Sequence, residues 1–315
     1  MSRIAVLEGG RSFERQVSLR SGARVKDALE RLGHEVDAVD AGPDLVDRLR
    51  DAPPDVAFVA LHGRDGEDGT VQELLEILGL AYTGSGPAAC LRAADKVVAK
   101  HAFRAAGIPT PDFYAFSETA FKELGAGDAL GAIEDRLRFP IVVKPAGQGS
   151  ALGIKFARTA ADVPNALVSA FSYDSKVILE RYVPGRDLAV SVIESVDGPQ
   201  ALPVVEAIPV EEHFYDFEAR YEIGRTRFVC PADLPAEVTA RAHELALATW
   251  KVLGCSGFAR VDLMADGDEL TVLEANAIPG LTDTSLLPLA AEAAGIGFDD
   301  FVARVLDLAV QRTPA

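Results

Sequence analysis

Cysteine is scarce in this chain: three among 315 residues, Cys90, Cys230 and Cys255, with no C-x-x-C pair. An odd and widely spaced set argues against both a disulfide framework and a zinc site. The three read instead as small buried hydrophobes in a reducing compartment. Long apolar runs are also lacking. No stretch approaches the ~18 consecutive apolar residues of a membrane span, and "MSRIAVLEGG" enters a strand and a glycine turn with no signal-peptide h-region or cleavage site. The expectation is a cytoplasmic protein without a membrane partner. Positive charge is short as well, with 31 basic against 48 acidic residues and a net charge of −17. Such a field disfavours nucleic acid and also repels free nucleotides, so a bound phosphate would need clustered local cations or backbone N–H groups. There is no internal repeat and no low-complexity tail.

What is present suits a globular protein: 49% hydrophobic and 25% charged residues, in a chain long enough for two or three domains. "SRIAVLEGG", the helix-spaced "SFERQVSLRSGARVKDALERLG", "HEVDAVDA", "LVDRLRDA" and "PPDVAFVALHG" alternate strand and helix, which predicts a doubly wound parallel sheet. The Gly9-Gly10 turn is not G-x-G-x-x-G, so a dinucleotide site is not supported there. A helix stopped by Gly107 and Pro109 follows. "FPIVVKPAGQGSALGIKFA" reads as strand, glycine-rich loop and strand, and the next stretch as a helix and two strands joined at Pro184-Gly185. Residues 206–235 show no sustained periodicity, and a connection that long is usually functional. An amphipathic helix, the hairpin "GFARVDLMADGDELTVLEAN" and one final helix complete the reading.

In that hairpin Arg260 and Asp262 alternate onto one face of the first strand, Glu274 and Asn276 onto one face of the second. A turn of three residues, Gly267 to Glu269, would set Asp262 opposite Glu274 and Arg260 opposite Asn276. Opposed carboxylates repel unless a cation lies between them. An Asp/Glu/Asn oxygen set suits Mg2+ whose shell is completed by phosphate; a solvated face neutralised by Arg260 is the alternative. Lys144 stands before a loop with three glycines, able to present N–H groups to phosphate, though it is not a Walker loop and alone reads equally as a hairpin. His62, at a strand end, alone reads as a structural histidine. Glu14 alone reads as a first-turn acid favoured by the helix dipole.

The order of these signals is more specific than any one of them. "LEGGRSFERQVSLRSG", "LHGRDGEDGTVQELLE", "YTGSG", "DKVVAK", "FPIVVKP", "GSALG", "FYDFEARY", "CPADL", "GFARVDL" and "EANAIPGLTDTSLLP" follow one another along the chain. In these stretches it resembles the D-alanine–D-alanine ligase family of the ATP-grasp superfamily, from Ile4 to about Phe301. The resemblance implies a mixed α/β and α+β chain with an ATP-grasp fold: an N-terminal Rossmann-like domain (1–94), a small central domain (95–180) and a C-terminal domain (181–315). It implies ATP and two Mg2+ ions, with Mn2+ able to replace them, D-alanine as substrate, and a homodimer. The first D-alanine would become an acyl phosphate and the amine of the second would attack it.

Residue by residue, Asp262, Glu274 and Asn276 match the Mg2+ ligands. Arg260 and the Gly280 N–H match the donors to the oxyanion, and Ser285 with Leu286 lies where the second substrate is held. Glu14 matches the acid that pairs with the first substrate's ammonium. Ser150 and Tyr221 match hydroxyls hydrogen-bonded to that acid, and His62 lines the same pocket. Lys96, Lys144 and Ser150 match groups around the nucleotide, Glu180 the adenine hinge, and the stretch from Tyr215 to Tyr221 the lid. Four positions depart from the family pattern: Gln148, Ala151, Asp187 for the ribose acid, and Arg220 for the lid lysine. Tyr221 favours an amine as second nucleophile. D-lactate or D-serine in that place, or a weakly active nucleotide-binding relative, are the alternatives.

Overall fold

The computed structural model describes residues 1–125, 130–210 and 224–311. The N-terminal unit runs β1 (Arg3–Glu8), α1 (Arg15–Arg31), β2 (Glu35–Asp40), α2 (Leu45–Asp51), β3 (Val56–Val59), α3 (Thr70–Ile77) and β4 (Ala81–Tyr82). Its strands pair in the order β2-β1-β3-β4, all parallel, as the alternating pattern predicts. In α1 the buried positions Val17, Ser18, Ser21, Gly22, Val25, Ala28 and Leu29 recur at helical spacing and lay one face on the sheet. Two helices follow, α4 (Pro87–Ala94) and α5 (Lys96–Ala105). Asp95 caps α5 by accepting from the N–H groups of Val97 and Val98, which fixes Lys96 at its first turn.

A central antiparallel sheet is built from β5 (Phe113–Ser117), β6 (Ile141–Pro145), β7 (Lys155–Ala157) and β8 (Lys176–Arg181), in the order β5-β8-β6-β7. With it come α6 (Glu118–Glu123), α7 (Leu130–Leu137) and α8 (Val163–Phe171). The remaining sheet joins β9 (Arg186–Ser195), β10 (Gly198–Ala201), β11 (Val205–Pro209), β12 (Thr226–Val229), β13 (Phe258–Asp266) and β14 (Glu269–Asn276), in the order β12-β11-β9-β13-β14 with β10 on β9. The helix α9 (Ala236–Leu253) covers it, and α10 (Leu286–Ala293) and α11 (Phe298–Gln311) end the described chain. Several details differ from the sequence reading. The helix read as stopped by Gly107 is two, α4 and α5, divided at Asp95. The stretch 206–235 carries strands at both ends, β11 and β12, and the single final helix is two, α10 and α11.

A small apolar cluster of Val97, Phe113, Ala146 and Ile178 ties α5 to the central sheet, and three larger clusters hold the layers. Leu137, Ile141, Val143, Leu167 and Leu179 form a core confined to the central sheet and its helices. The other two bridge units: Val59 and Leu75 share one cluster with Phe103, Val261, Val272 and Trp250, while Phe58 and Leu29 share another with Phe258, Leu287 and Phe301. The N-terminal and C-terminal sheets are thereby packed through common apolar surface, and each residue of this kind contributes about 1.5–3 kcal/mol when fully buried. Cys90 and Cys255 are buried, Cys230 is half-buried, and burial raises the Cys255 thiol to about 11. They are the packed hydrophobes that the sequence indicates.

The hairpin corrects one premise. Its turn has two residues, Gly267 and Asp268, because Asp266 pairs with Glu269. That register pairs Leu263 with Val272, and an irregularity follows: Asp262 pairs with Glu274 and Arg260 with Asn276. Leu273 is the surplus residue of a β-bulge. The expected cross-strand pairs are therefore present by a different route. Val272 is buried in the core, whereas Leu273 and Glu274 are both half-exposed and line the same neighbouring cavity.

Candidate active site

The three units meet around a cleft. Glu14, His62, Lys96 and Ser150 line it from the N-terminal and central parts of the chain, and Arg260, Glu274, Asn276, Gly280, Ser285 and Leu286 from the C-terminal part. Asp187 and Asp262 line an adjoining cavity that Glu274, Leu273 and Leu286 also reach. The structure thus gathers twelve of the sequence-predicted residues in two contiguous spaces. Tyr221, Arg220 and the proposed lid stretch 215–221 lie outside the described residues.

Glu14 occupies the N-cap position of α1, on the loop leaving β1, and is buried. Its Oε2 accepts from the Ser150 hydroxyl at 2.7 Å, joining the glycine-rich loop to the N-terminal unit. Its Oε1 has no hydrogen-bond partner among the described residues. A Cβ on Gly149 would stand 2.6 Å from that oxygen, so the loop approaches this closely only because residue 149 has no side chain. Burial and the neighbouring Glu67 carboxylate raise Glu14 to about 7. A buried carboxylate with one open oxygen at that pKa suits a cationic partner.

At the hairpin, Arg260 grips Asp262 with two bonds, Nε to Oδ1 at 2.6 Å and Nη2 to Oδ2 at 2.8 Å. Lys96 Nζ lies 3.2 Å from Glu274 and also donates to the Gln148 carbonyl at 2.9 Å. Asn276 Oδ1 accepts from the Ile278 N–H at 2.9 Å. The opposed carboxylates are each matched by a protein cation, so their mutual repulsion is already offset. A donor set of two carboxylates and an amide oxygen, all hard oxygen ligands, fits Mg2+ in kind.

Behind the glycine-rich loop, Glu180 is buried between two lysines: Lys144 at 2.9 Å and Lys100 at 2.6 Å. Lys100 is fully buried and also donates to the Thr110 hydroxyl at 2.7 Å. Desolvation lowers Lys100 to about 8, while the two lysines hold Glu180 below its ordinary value against its own burial. One carboxylate thus faces two ammonium groups, a local positive excess inside a chain of −17. A local excess of this kind is what the overall charge would require of a phosphate site. Neither Lys144 nor Glu180 lines the main cleft. Lys100 escaped the sequence reading, although it stands in "DKVVAK" one helical turn after Lys96. Two lysines four apart on an otherwise buried helix face were the available signal.

The loop after β14 carries the remaining residues. The Ser285 hydroxyl accepts from the Thr282 N–H at 3.0 Å and lies 2.9 Å from the Thr282 hydroxyl. A Cβ on Gly280 would come 2.8 Å from the Ser285 hydroxyl. His62 is buried, with Nδ1 3.1 Å from the Ile278 carbonyl and Nε2 2.8 Å from the Ser21 hydroxyl. Arg24 of α1 donates to the carbonyls of Leu281 and Thr282 and pairs with Asp283 at 3.1 Å. Neither Ser21 nor Arg24 was singled out from sequence, since a serine and an arginine on an amphipathic helix carry no distinctive spacing.

With this geometry in place, comparison with known proteins is specific. A family model described as "D-ala D-ala ligase C-terminus" matches residues 102–307, and one described as "D-ala D-ala ligase N-terminus" matches residues 45–85. A D-alanine–D-alanine ligase of Synechococcus sp. (strain JA-3-3Ab) is 46% identical over 313 residues, covering 98% of this chain and 94% of the relative. One of Moorella thermoacetica is 43% identical over 310 residues, covering 98% and 99%. The crystal structure of D-alanine–D-alanine ligase from Bacillus anthracis complexed with ATP superposes with a TM-score of 0.83 at 32% identity, over 99% of this chain and 98% of that one. The architecture is accordingly the ATP-grasp fold expected from the sequence, and the chain belongs to the D-alanine–D-alanine ligase family.

Proposed function

We propose that this protein joins two D-alanines at the expense of ATP, through an acyl phosphate, to give D-alanyl-D-alanine for peptidoglycan precursors. One observation carries the reading: a buried carboxylate with an open oxygen, Glu14, shares a cleft with Arg260 and the Gly280 backbone, at the strand end that bears Asp262, Glu274 and Asn276.

In this reading Glu14 holds the ammonium of the first D-alanine, and Ser150, Lys96 and the buried cluster of Lys100, Lys144 and Glu180 serve the nucleotide end. Asp187 is the ribose acid. The substrate carboxylate takes the terminal phosphoryl group and ADP leaves. The amine of the second D-alanine, whose carboxylate lies near Ser285 and Leu286, then adds to the acyl carbon. Arg260 and the Gly280 N–H face the oxyanion that develops, a type of donor commonly worth about 3 kcal/mol each. The nucleophile is the free amine, its ammonium proton lost to solvent. Addition makes the C–N bond; collapse restores the carbonyl, breaks the C–O bond to phosphate and sends the nitrogen's surplus proton out with the phosphate. Asp262, Glu274 and Asn276 would hold Mg2+, which when bound neutralises charge on the transferred phosphoryl group. The three-domain division at 94/95 and 180/181, a cytoplasmic location and a homodimer complete the proposal.

Two measurements test it. Phosphate release from ATP should require D-alanine, and no D-alanine-dependent release at any magnesium concentration would remove the ligase reading. With D-alanine and D-lactate offered together at neutral pH, dipeptide should dominate; mostly depsipeptide would overturn the preference for an amine nucleophile.

A further inference from the structure

Between Ile278 and Leu281 the chain passes through Pro279, which has no N–H, and Gly280, which has no side chain. The ring of Pro279 locks its φ but not its ψ, the torsion that turns the peptide plane carrying the Gly280 N–H, and Gly280 adds no restraint of its own. The structure fixes it from outside. On one side the Ile278 carbonyl lies 3.1 Å from His62 Nδ1, and on the other the Leu281 N–H donates to the Ser21 hydroxyl oxygen at 3.1 Å. The two anchors are joined by the 2.8 Å contact between Ser21 Oγ and His62 Nε2.

The proton positions in this chain are determined by its chemistry. His62 Nδ1 faces two acceptors, the Ile278 carbonyl and Glu67 Oε1 at 3.5 Å, so it carries the proton. Nε2 then accepts from the Ser21 hydroxyl, whose oxygen still has a lone pair for the Leu281 N–H. Ser21, His62, Ile278 and Leu281 are all buried, so these bonds compete little with water. Both anchors come from the N-terminal unit, one from α1 and one from the loop after β3. The gripped segment follows β14 in the C-terminal unit.

We infer that Ser21 and His62 form a clamp that sets the direction of the Gly280 amide, and that Ser21 is a positioning residue for turnover. This rests on the proposed reading of Gly280 as a donor to the oxyanion.

The test uses two variants of the full chain. Ser21→Ala removes the hydroxyl, and Ser21→Cys keeps nearly the same volume with only weak hydrogen bonding, which protects the fold. In both, kcat should fall about tenfold or more, while KM for ATP and for D-alanine stays within about threefold, as expected for a misaimed group used in the transition state. Amide hydrogen exchange of the 278–285 segment should speed up about tenfold in the folded protein, with β1 and β6 unchanged. Unchanged exchange with reduced kcat would overturn the clamp and leave the Gly280 assignment standing. Faster exchange with kcat within twofold of wild type would overturn the positioning role and the Gly280 assignment together.

Discussion

At the end of the cleft proposed for the amino acids, polar groups are held largely by contacts between units of the chain. Glu14 is held by Ser150, His62 by Ser21 and Ile278, and the 281–283 loop by Arg24. At the end proposed for the nucleotide the groups hold one another: Lys100, Lys144 and Glu180 form a buried charge cluster, with Lys96 reaching Glu274. The first end is built by geometry, the second by charge. The difference bears on two of the departures from the family pattern, Gln148 and Ala151. Gln148 serves Lys96 through its main-chain carbonyl, a contact that any side chain at that position would leave in place. Ala151 sits at φ 57°, beside Ser150 at φ 54°, in the left-handed backbone region that L residues rarely adopt.

If that contrast holds, removing charge at the nucleotide end should damage stability, and removing it at the strand end should damage turnover alone. The largest effect is expected for Glu180→Gln, which leaves two buried ammonium groups without their carboxylate. Breaking a buried pair typically costs about 3–5 kcal/mol, to be read from urea unfolding. Lys100 should then titrate below about 8, its present value. Stability near that cysteine-free cluster comparable to wild type would show that the charges are not what holds it.

Next is Glu274→Gln. Turnover with saturating Mg2+ should fall at least ~100-fold, as when a group organising transferred charge is lost. The melting temperature without metal should hardly move. Lys96 loses one of two partners, and Asp262 is already matched by Arg260, so little repulsion remains to be relieved. An active, unchanged variant would sink the metal assignment.

The smallest effect is a pH dependence. The folded value of Glu14, about 7, lies above its ordinary 4.5, with burial the main cause and Glu67 second. A raised carboxylate contributes stability that is complete below about 4.5 and is lost as pH rises to about 7. Binding should run the other way: the ionised form pairs with the substrate ammonium, so KM for D-alanine should fall about tenfold between pH 6 and 8. A flat profile would take Glu14 out of the ammonium site.

Much of this was legible in the chain. The parallel N-terminal sheet follows from strand and helix periodicity, and the oxygen-bearing strand end from "LEAN". Two things were not. The bulge depends on the two-residue Gly267-Asp268 turn, and a turn length cannot be read from "ADGDEL", where glycine and two acids permit either choice. The Ser21–His62–Leu281 chain joins residues up to 260 positions apart, and no local pattern encodes a contact of that range. Lys100 was not singled out because charge alone does not reveal which helix face is packed.

The bulge at Leu273 also bears on how this site could be altered. A regular strand addresses a cavity with every second residue, so apolar and acidic functions on one face lie two positions apart and interleave with the core. Here two successive residues, Leu273 and Glu274, share one cavity while Val272 and Ala275 on either side remain in the core. The surplus position is decoupled from the ladder that sets the others. Shortening the strand by Leu273 would close the ladder with Asp262 still opposite Glu274, so the apolar contribution to the cavity can be varied or deleted independently of the ionic one.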